Sequence, residues 1–499
     1  MSTIRRQSII SSVVVYIGFA LGFFNTYLFT RQGGFTKEQY GLTAVFIAAA
    51  QLIYAISSLG MASFINKFFP YYKAHLPDRK NDQLTWALFL PCVGFLLVVL
   101  LGIIFKDIII NKVLDNSPDL LRYYYWIFPF GFGYTIFLVL EAYAWQQRKA
   151  VLSNFLKEVG FRLCITVLIV LTTVGLIHNF SLFISLFSLI YILLAFYILF
   201  FFSKKRKLHF TFQKSIVTKK FQKKITGFVV FIWAGGLVFN LATVFDTIVI
   251  AAVLPNGVGE VAFFTFAQNI SSLIQAPQRA IISAAVGPLS QAWREKNLAK
   301  INQIYHRSSI NQLLFSCAMF ALVWLNFEDG IYTFNLQSQY TAAKIAFLYL
   351  GITRIVDMGF GVNAQIIGTS TFWRFEFVTG LILLLLIMPL SYFLVKAMGI
   401  MGPAVASLIS LTIYNLIRFV FLYRKFKMQP FNLKTVYTIL LAAFCFTITL
   451  FLFREHRGIQ WIVLRSMLFT ITFALGTIYL KLSPDVMPVW ETIRKRLRL

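Results

Sequence analysis

The sequence predicts an all-α polytopic membrane protein with about 14 transmembrane helices. Of its 499 residues, 59% are hydrophobic and only 13% are charged, and the mean hydropathy is +0.75. A soluble fold cannot hide that much apolar surface from water. Because each span needs roughly 20 apolar residues and a loop, the length suffices for a dozen or more spans. The same numbers exclude a disordered chain, a coiled coil and a secreted disulfide scaffold.

The net charge of +28 arises from 46 Lys and Arg residues against 18 Asp and Glu residues. In a soluble protein this excess would indicate nucleic-acid binding. In a membrane protein it predicts basic cytoplasmic loops that contact anionic lipids, and no nucleic-acid partner. The apolar run after the first residues is too long for a signal peptide, so we interpret it as the first span.

Apolar runs of spanning length predict six spans, a basic linker and then eight more spans. They lie at about 8–30, 38–65, 85–105, 119–145, 158–176, 181–202, 225–251, 260–293, 307–327, 341–368, 375–395, 402–423, 435–453 and 461–481. If the N-terminus is cytoplasmic, about 30 Lys and Arg residues fall in cytoplasmic segments and about 7 in outer segments. This bias supports an even number of spans and places both termini in the cytoplasm.

Motifs for catalysis are missing from the sequence. It contains no G-x-x-x-x-G-K-[ST], HExxH or GxSxG motif, and no predicted outer loop exceeds about 14 residues. Four cysteines lie in different apolar runs without CxxC spacing, which indicates packing rather than metal or redox chemistry. We therefore expect a transporter rather than an enzyme, with no cofactor and no metal.

A weak internal repeat indicates two related halves. The segment Val15–Asn25 (VYIGFALGFFN) resembles Val230–Asn240 (VFIWAGGLVFN), which would pair spans 1 and 2 with spans 7 and 8. Tandem repeats are common in transporters. We expect an N-terminal lobe over 1–224, including a basic cytoplasmic linker over 203–224. A second lobe would cover 225–423, and two further spans with a basic tail would cover 424–499.

Three patches resemble the Wzx-type oligosaccharide flippases of the multidrug/oligosaccharidyl-lipid/polysaccharide (MOP) exporter superfamily. Phe35–Pro70 is similar to their first helical hairpin, with a YG pair opening the second span and an LG near its inner end. Phe239–Trp293 is similar to the matching hairpin of the second half, and Arg354–Glu376 adds a third patch. At the level of span pattern the resemblance covers essentially the whole chain.

The resemblance implies two seven-helix lobes around a central cavity with alternating access. It implies a bacterial inner-membrane location and export of polyprenyl-pyrophosphate-linked oligosaccharide for polysaccharide or O-antigen synthesis. A polysaccharide polymerase and chain-length machinery would be partners. Multidrug antiport and lipid II flipping stay open as alternatives, because these branches share the fold. The short outer loops disfavour a membrane glycosyltransferase.

Polar side chains within the spans are candidates for the cavity wall, because ionisable groups in lipid cost about 2.5–3.5 kcal/mol each on insertion scales. Gln268, Gln275 and Arg279 are spaced by seven and four residues and share one helix face. In the resembling family, spans 1, 2, 7 and 8 line the cavity. The alternative is that these groups form hydrogen bonds that hold helices together. The full predicted cavity set is Asn25, Gln51, Asn240, Gln268, Asn269, Gln275 and Arg279.

Carboxylates within spans are candidates for coupling transport to an ion gradient. Membrane potential alone is one predicted drive, and the alternative is that Asp246, Asp357 or Glu141 takes up a proton or Na⁺. Asp246 is the preferred coupling residue, because it lies within a predicted cavity helix with no cation nearby in sequence. Arg354 and Asp357 are three residues apart on one helix face and are predicted to pair. Three further arginines, Arg162, Arg418 and Arg465, stand singly in their spans, and Glu141 is expected to pair with Arg148 or Lys149.

Overall fold

The computed structural model describes residues 3–109, 118–205, 207–453 and 456–486, and every regular element in these ranges is a helix. Contacts within the chain define two compact units, Met1–Ala262 and Phe263–Leu499. The predicted lobe boundary at residue 224 and the predicted C-terminal part from residue 424 stay predictions. Residues 487–499 of the predicted basic tail lie outside the described residues, as do Met1 and Ser2.

The first unit contains the helices up to residue 262. They are α1 (Thr3–Thr30), α2 (Lys37–Ser57), α3 (Met61–His75), α4 (Gln83–Ile104), α5 (Lys106–Ile109), α6 (Pro118–Tyr123), α7 (Ile127–Gln146), α8 (Ala150–Phe155), α9 (Phe161–Thr173), α10 (Phe180–Lys204), α11 (Ile216–Val253) and the start of α12 (Gly257–Gln275). Helix α2 begins at a capping box, in which the Thr36 hydroxyl accepts from the Gln39 amide and the Gln39 side chain accepts from the Thr36 amide. It ends before a tight turn in which Gly60 has φ +70°, a conformation that favours glycine.

Helix α7 lies at the centre of the first unit and packs against α2, α3 and α10. Phe130 of α7 stacks on Phe187 of α10 with ring centroids 4.9 Å apart, and both rings are fully buried. A Cβ atom on Gly133 would lie 2.5 Å from the backbone nitrogen of Ile192. Small residues at such crossings let two helix backbones approach closely, which is how helices associate in lipid.

Helix α11 begins at Ile216, within the predicted linker range 203–224, and the cytoplasmic linker stays a prediction. Ser215 caps this helix by accepting a hydrogen bond from the amide of Thr218 at 3.1 Å. The Thr218 hydroxyl donates to Asp82 at the start of α4 (2.7 Å) and lies 2.7 Å from the hydroxyl of Tyr72. Burial raises the pKa of Tyr72 to about 12, so its hydroxyl stays protonated and donates to Thr218.

The second unit contains the end of α12 and the helices after it. They are α13 (Gln278–Arg294), α14 (Leu298–Thr333), α15 (Ala343–Gly359), α16 (Asn363–Gly368), α17 (Trp373–Met398), α18 (Met401–Phe426), α19 (Leu433–Leu452) and α20 (Ile459–Tyr479). The last two helices pack on α14 through a buried apolar cluster that includes Leu313, Cys317, Phe469 and Phe473. The two C-terminal helices are therefore part of the second unit's core.

Eleven helical segments of the described chain are long and apolar enough to cross a membrane. Of the other three predicted spans, two are interrupted helices and one contains a π-helical segment. In span 5, the π-helical segment Leu156–Gly160 joins α8 to α9 without a break in the helix. Span 8 is broken at Pro277 between α12 and α13, where the sequence predicts a kink. Span 10 is broken between α15 and α16 at residues 360–362, where Gly361 has φ +63°. Together with the eleven apolar segments, these three regions are roughly consistent with the predicted fourteen spans.

Candidate functional site

The first unit holds a cluster of charged side chains around the π-helical segment, and we name it the Glu141 cluster. The Nζ of Lys157 lies 3.0 Å from Glu141, whose side chain is only 5% exposed. One turn on, Arg162 pairs with Glu158 at 2.6 Å and also donates to the Glu158 carbonyl oxygen. Glu141 therefore pairs with Lys157 rather than with Arg148 or Lys149, and Arg162 is not single.

Asn25 joins this cluster from α1. Its Nδ2 donates to the Arg162 carbonyl oxygen at 2.8 Å, and its Oδ1 accepts from the Thr166 hydroxyl at 2.6 Å. Because the side chain is buried between α1 and α9, these bonds hold the two helices together. The helix-packing alternative therefore describes Asn25 in this conformation, and its predicted role in the cavity stays a prediction.

The second unit holds a different buried polar group, the Asp357 network, formed by Gln278, Asp357, Asn363 and Asn415. Asp357 accepts from Gln278 Nε2 at 2.9 Å and from Asn415 Nδ2 at 3.1 Å. Asn363 Nδ2 donates in turn to Asn415 Oδ1 at 2.8 Å. Every donor to the carboxylate in these bonds is a neutral amide.

The network lies at two helix interruptions. Gln278 is the first residue of α13 after the break at Pro277, while Asp357 and Asn363 flank the break between α15 and α16. The freed backbone at the second break is satisfied by side chains, since Ser309 Oγ donates to the carbonyl oxygen of Gly359 at 2.5 Å. Irregular backbone at membrane depth is tolerated only where it is buried in protein or lines a cavity.

The predicted pair of Arg354 and Asp357 is not among the ion pairs closer than 4.0 Å in the described part of the chain, so it stays a prediction. The Arg354 Nε is buried without a hydrogen-bond partner in this structure. Both side chains lie on α15, one turn apart. The hydrogen bonds to Asp357 come from amides, and Arg354 lies near enough for its charge to interact with that of the carboxylate.

The two remaining single arginines also have carboxylate partners. Arg418 on α18 pairs with Glu376 on α17 and contacts the hydroxyl of Tyr414. Arg465 on α20 lies 3.4 Å from Asp329 on α14, and it donates to the Leu325 carbonyl oxygen at 2.7 Å. Both arginines are buried. The residues of these pairs are 42 and 136 positions apart, so spacing along the chain could not reveal them.

The other predicted cavity residues lie on α2, α11, α12 and α13. Arg279 is exposed in the first turn of α13, and the rest are half-buried. The structure ties Asn240 to its own helix, since Nδ2 donates to the Gly236 carbonyl oxygen at 2.7 Å. The half-buried members of the predicted set are Gln51, Asn240, Gln268, Asn269 and Gln275, and the predicted coupling residue Asp246 is also half-buried.

A sequence profile described as polysaccharide biosynthesis protein matches residues 4–293, which is more than half of the chain. The chain belongs to the polysaccharide biosynthesis protein family. None of the curated proteins matches its sequence.

Solved transporter structures share the fold of this family member. The lipid II flippase MurJ in an inward closed conformation is 16% identical with a TM-score of 0.71, and the match covers 95% of this chain and 99% of MurJ. An inward-facing multidrug resistance transporter of the MATE family is 15% identical, with 82% and 93% coverage and a TM-score of 0.60. A MOP superfamily transporter from Pyrococcus furiosus, described by a binding pocket of reverse polarity, is 16% identical, with 83% and 94% coverage and a TM-score of 0.50.

The shared fold confirms the predicted all-α polytopic fold class, and eleven helical segments of the described chain could cross a membrane by length and composition. The solved structures that share this flippase-like fold are described as a flippase and as transporters, and two of them are described as members of the MOP superfamily.

Proposed function

We propose that this protein flips polyprenyl-pyrophosphate-linked oligosaccharide from the cytoplasmic to the periplasmic leaflet by alternating access. The observation that supports this cargo is the match to the polysaccharide biosynthesis family over residues 4–293. The flippase-like fold fits the same activity. The proposed location is a bacterial inner membrane with both termini in the cytoplasm. A polysaccharide polymerase and chain-length machinery are the proposed downstream partners.

The chemistry of this cargo sets what the transporter must provide. The prenyl tail can stay in the bilayer, whereas the sugar head and the anionic pyrophosphate need a hydrated polar path. Side-chain amides can bind sugar hydroxyls as donors and acceptors, and an arginine can bind the pyrophosphate. The proposed cavity set of Asn25, Gln51, Asn240, Gln268, Asn269, Gln275 and Arg279 supplies both kinds of group.

In this proposal, export is driven by the membrane potential or by an ion gradient. An inside-negative potential of 100 mV contributes about 2.3 kcal/mol for each charge moved, so a cargo with two negative charges gains about 4.6 kcal/mol on outward movement. Asp246 and Asp357 are the proposed sites of additional coupling to a proton or Na⁺. The amide environment of Asp357 supports this role, because a cation could bind there without displacing a salt bridge.

A lectin-accessibility assay tests the proposal. The full chain is reconstituted in liposomes with lipid-linked oligosaccharide, and a fluorescent lectin reports the sugar on the outer surface, with and without an imposed potential. We expect protein-dependent movement of the sugar that the potential accelerates. Arg279→Ala should reduce the rate at least tenfold, whereas Arg294→Ala, at the other end of the same helix, should leave it within about twofold.

Two further substrates separate the alternatives. Movement of lipid II in place of the oligosaccharide carrier would assign the protein to lipid II flipping. Ion-coupled efflux of a cationic dye, with no movement of either lipid, would assign it to multidrug antiport. Both activities are tested because the chain shares its fold with a lipid II flippase and with a multidrug resistance transporter.

A further inference from the structure

The linker between α10 and α11 is fixed to the first unit at three points. The Tyr143 hydroxyl donates to the Lys207 carbonyl oxygen at 2.8 Å, and the Thr211 amide donates to the Thr85 hydroxyl at 2.9 Å. The Ser215 amide donates to the buried carboxylate of Asp82 at 3.0 Å. These bonds hold the linker's basic residues in place over the ends of α3, α4 and α7.

A polar cavity of about 140 Å³ lies between this linker and those helix ends. Its charged walls come from the linker, from α3 and from the turn before α4. The lining includes Lys73, Asp78, Asn81, Gln147, Lys207 and His209. Since a water molecule occupies about 30 Å³ of liquid, the cavity has room for a group with the bulk of four or five waters.

The cavity carries an excess of positive charge. Lys73 and Lys207 contribute two cations and Asp78 contributes one carboxylate, which gives these three residues a net charge of about +1. The Lys207 ammonium uses one donor on Gln147 Oε1, at 3.3 Å, and keeps two. The three charged side chains are exposed, so a ligand can reach them from solvent. An anion is therefore favoured, and Asp78 offers an acceptor to a hydroxyl group of the same ligand.

We propose that this cavity binds the phosphate group of a hydroxylated phosphate ester. The phosphate would lie against Lys73, Lys207 and His209, and a neighbouring hydroxyl would donate to Asp78. A phosphodiester carries one negative charge and a phosphomonoester such as glycerol phosphate carries about 1.5 to 2, so the positive cavity attracts both. Because the ligand would contact both the linker and α3, its binding would hold the linker against the first unit. This site does not depend on the identity of the transported cargo.

The same chemistry has two sources, a soluble phosphate ester and a lipid headgroup. Glycerol phosphate is the soluble probe, and phosphatidylglycerol in nanodiscs is the lipid probe with the same headgroup. The readout is hydrogen exchange of backbone amides over residues 207–213, followed by mass spectrometry on the full chain. A ligand at ten times its dissociation constant should slow exchange through linker opening by about tenfold.

Slower exchange with glycerol phosphate identifies a soluble ligand. Slower exchange only in phosphatidylglycerol nanodiscs, compared with phosphatidylcholine nanodiscs, identifies the lipid headgroup. Unchanged exchange with both probes overturns the proposal.

Two matched lysine variants distinguish binding in this cavity from a general attraction of anions to the basic linker. Lys207→Gln keeps the backbone carbonyl that Tyr143 binds but loses the ammonium, so the protection should disappear. Lys214→Gln removes an exposed linker charge that does not line the cavity, and it should keep the protection. Equal loss in both variants would overturn the proposal. Exchange of α14, in the second unit, should be unchanged in every variant and shows that the fold is intact.

Discussion

Two groups of polar side chains, one in each unit, are built in different ways. In the Glu141 cluster of the first unit, the carboxylates of Glu141 and Glu158 each meet a cation, at 3.0 Å and 2.6 Å. In the Asp357 network of the second unit, the carboxylate of Asp357 accepts from the amides of Gln278 and Asn415. The second unit also contains ion pairs, which join Arg418 to Glu376 and Arg465 to Asp329. The cluster and the network therefore differ in their donors, since cations contact the carboxylates of the cluster and neutral amides contact Asp357.

This difference indicates a structural role for the ion-paired carboxylates and an ion-binding role for Asp357. An ion pair in a low-dielectric environment is lost only at a large cost, because removing one partner leaves a buried charge. Amides stabilise a carboxylate through hydrogen bonds, yet they leave its charge free to attract a proton or a metal cation. The comparison therefore favours the Asp357 network for ion exchange and the Glu141 cluster for holding helices together.

The largest effect is expected when the Glu141 cluster loses a cation. Lys157→Met leaves the buried Glu141 carboxylate unpaired and should destabilise the protein by about 2–4 kcal/mol, somewhat below a fully buried pair because Lys157 is 36% exposed. Thermal unfolding in detergent measures the loss. The double variant Glu141→Gln with Lys157→Met removes both charges and should recover most of the stability; if it does not, the pair is not the source of the effect.

A smaller loss is expected for Asn25→Ala. The variant removes two hydrogen bonds between α1 and α9, which should cost about 1–2 kcal/mol. Transport per folded molecule should stay within about threefold of the wild type if Asn25 only joins helices. A loss of transport above tenfold without a change in stability would place Asn25 in the substrate path instead.

A still smaller change in stability is expected for Asp357→Asn, within about 1 kcal/mol, because the Gln278 amide can rotate and accept from the new donor. The substitution should instead affect the coupling of transport to an ion gradient. We expect the dependence of transport on pH or Na⁺ to be lost while transport driven by potential persists. Retained ion dependence in the variant would remove Asp357 from the coupling mechanism.

The smallest effect concerns an exposed ion pair, which serves as a reference for the buried ones. Arg307 and Asn311 donate to Asp485, and the Arg307 bonds hold the pKa of Asp485 below its ordinary value of about 3.9. The pair therefore stabilises the fold above pH 4, and this contribution is lost as the pH falls through the lowered pKa.

Because the pair is exposed to water, its contribution should stay below about 1 kcal/mol. Unfolding temperatures measured between pH 3 and 6 should fall toward the acid end less steeply in Asp485→Asn than in the wild type. Identical slopes would show that this pair adds nothing to stability.

The spans and their breaks could be predicted because they depend on local sequence. Apolar runs located the fourteen spans, and Pro277 marked the break in span 8. The π-helical segment Leu156–Gly160 gave no comparable signal, since it contains no proline and only one glycine, at its end. The start of α11 inside the predicted linker also gave no signal, because lysines are compatible with the exposed first turns of a helix.

The partners of the buried charges could not be predicted, because they depend on which helices pack together. Arg418 and Glu376 are 42 residues apart, and Arg465 and Asp329 are 136 apart. Arg162 is an exception, since Glu158 precedes it by four residues and an i, i+4 pair is readable from sequence. The amide environment of Asp357 combines residues from four helices, so only the structure could reveal it.

The interrupted spans have a consequence for how the chain enters the membrane during synthesis. A segment inserts on its own when it offers about 20 continuous apolar residues, and the two pieces of span 8 are shorter and carry several polar side chains. The freed backbone groups at each break need neighbouring helices to bind them. We therefore expect spans 8 and 10 to leave the insertion machinery late, after the neighbouring helices that bind their freed backbone groups have been made.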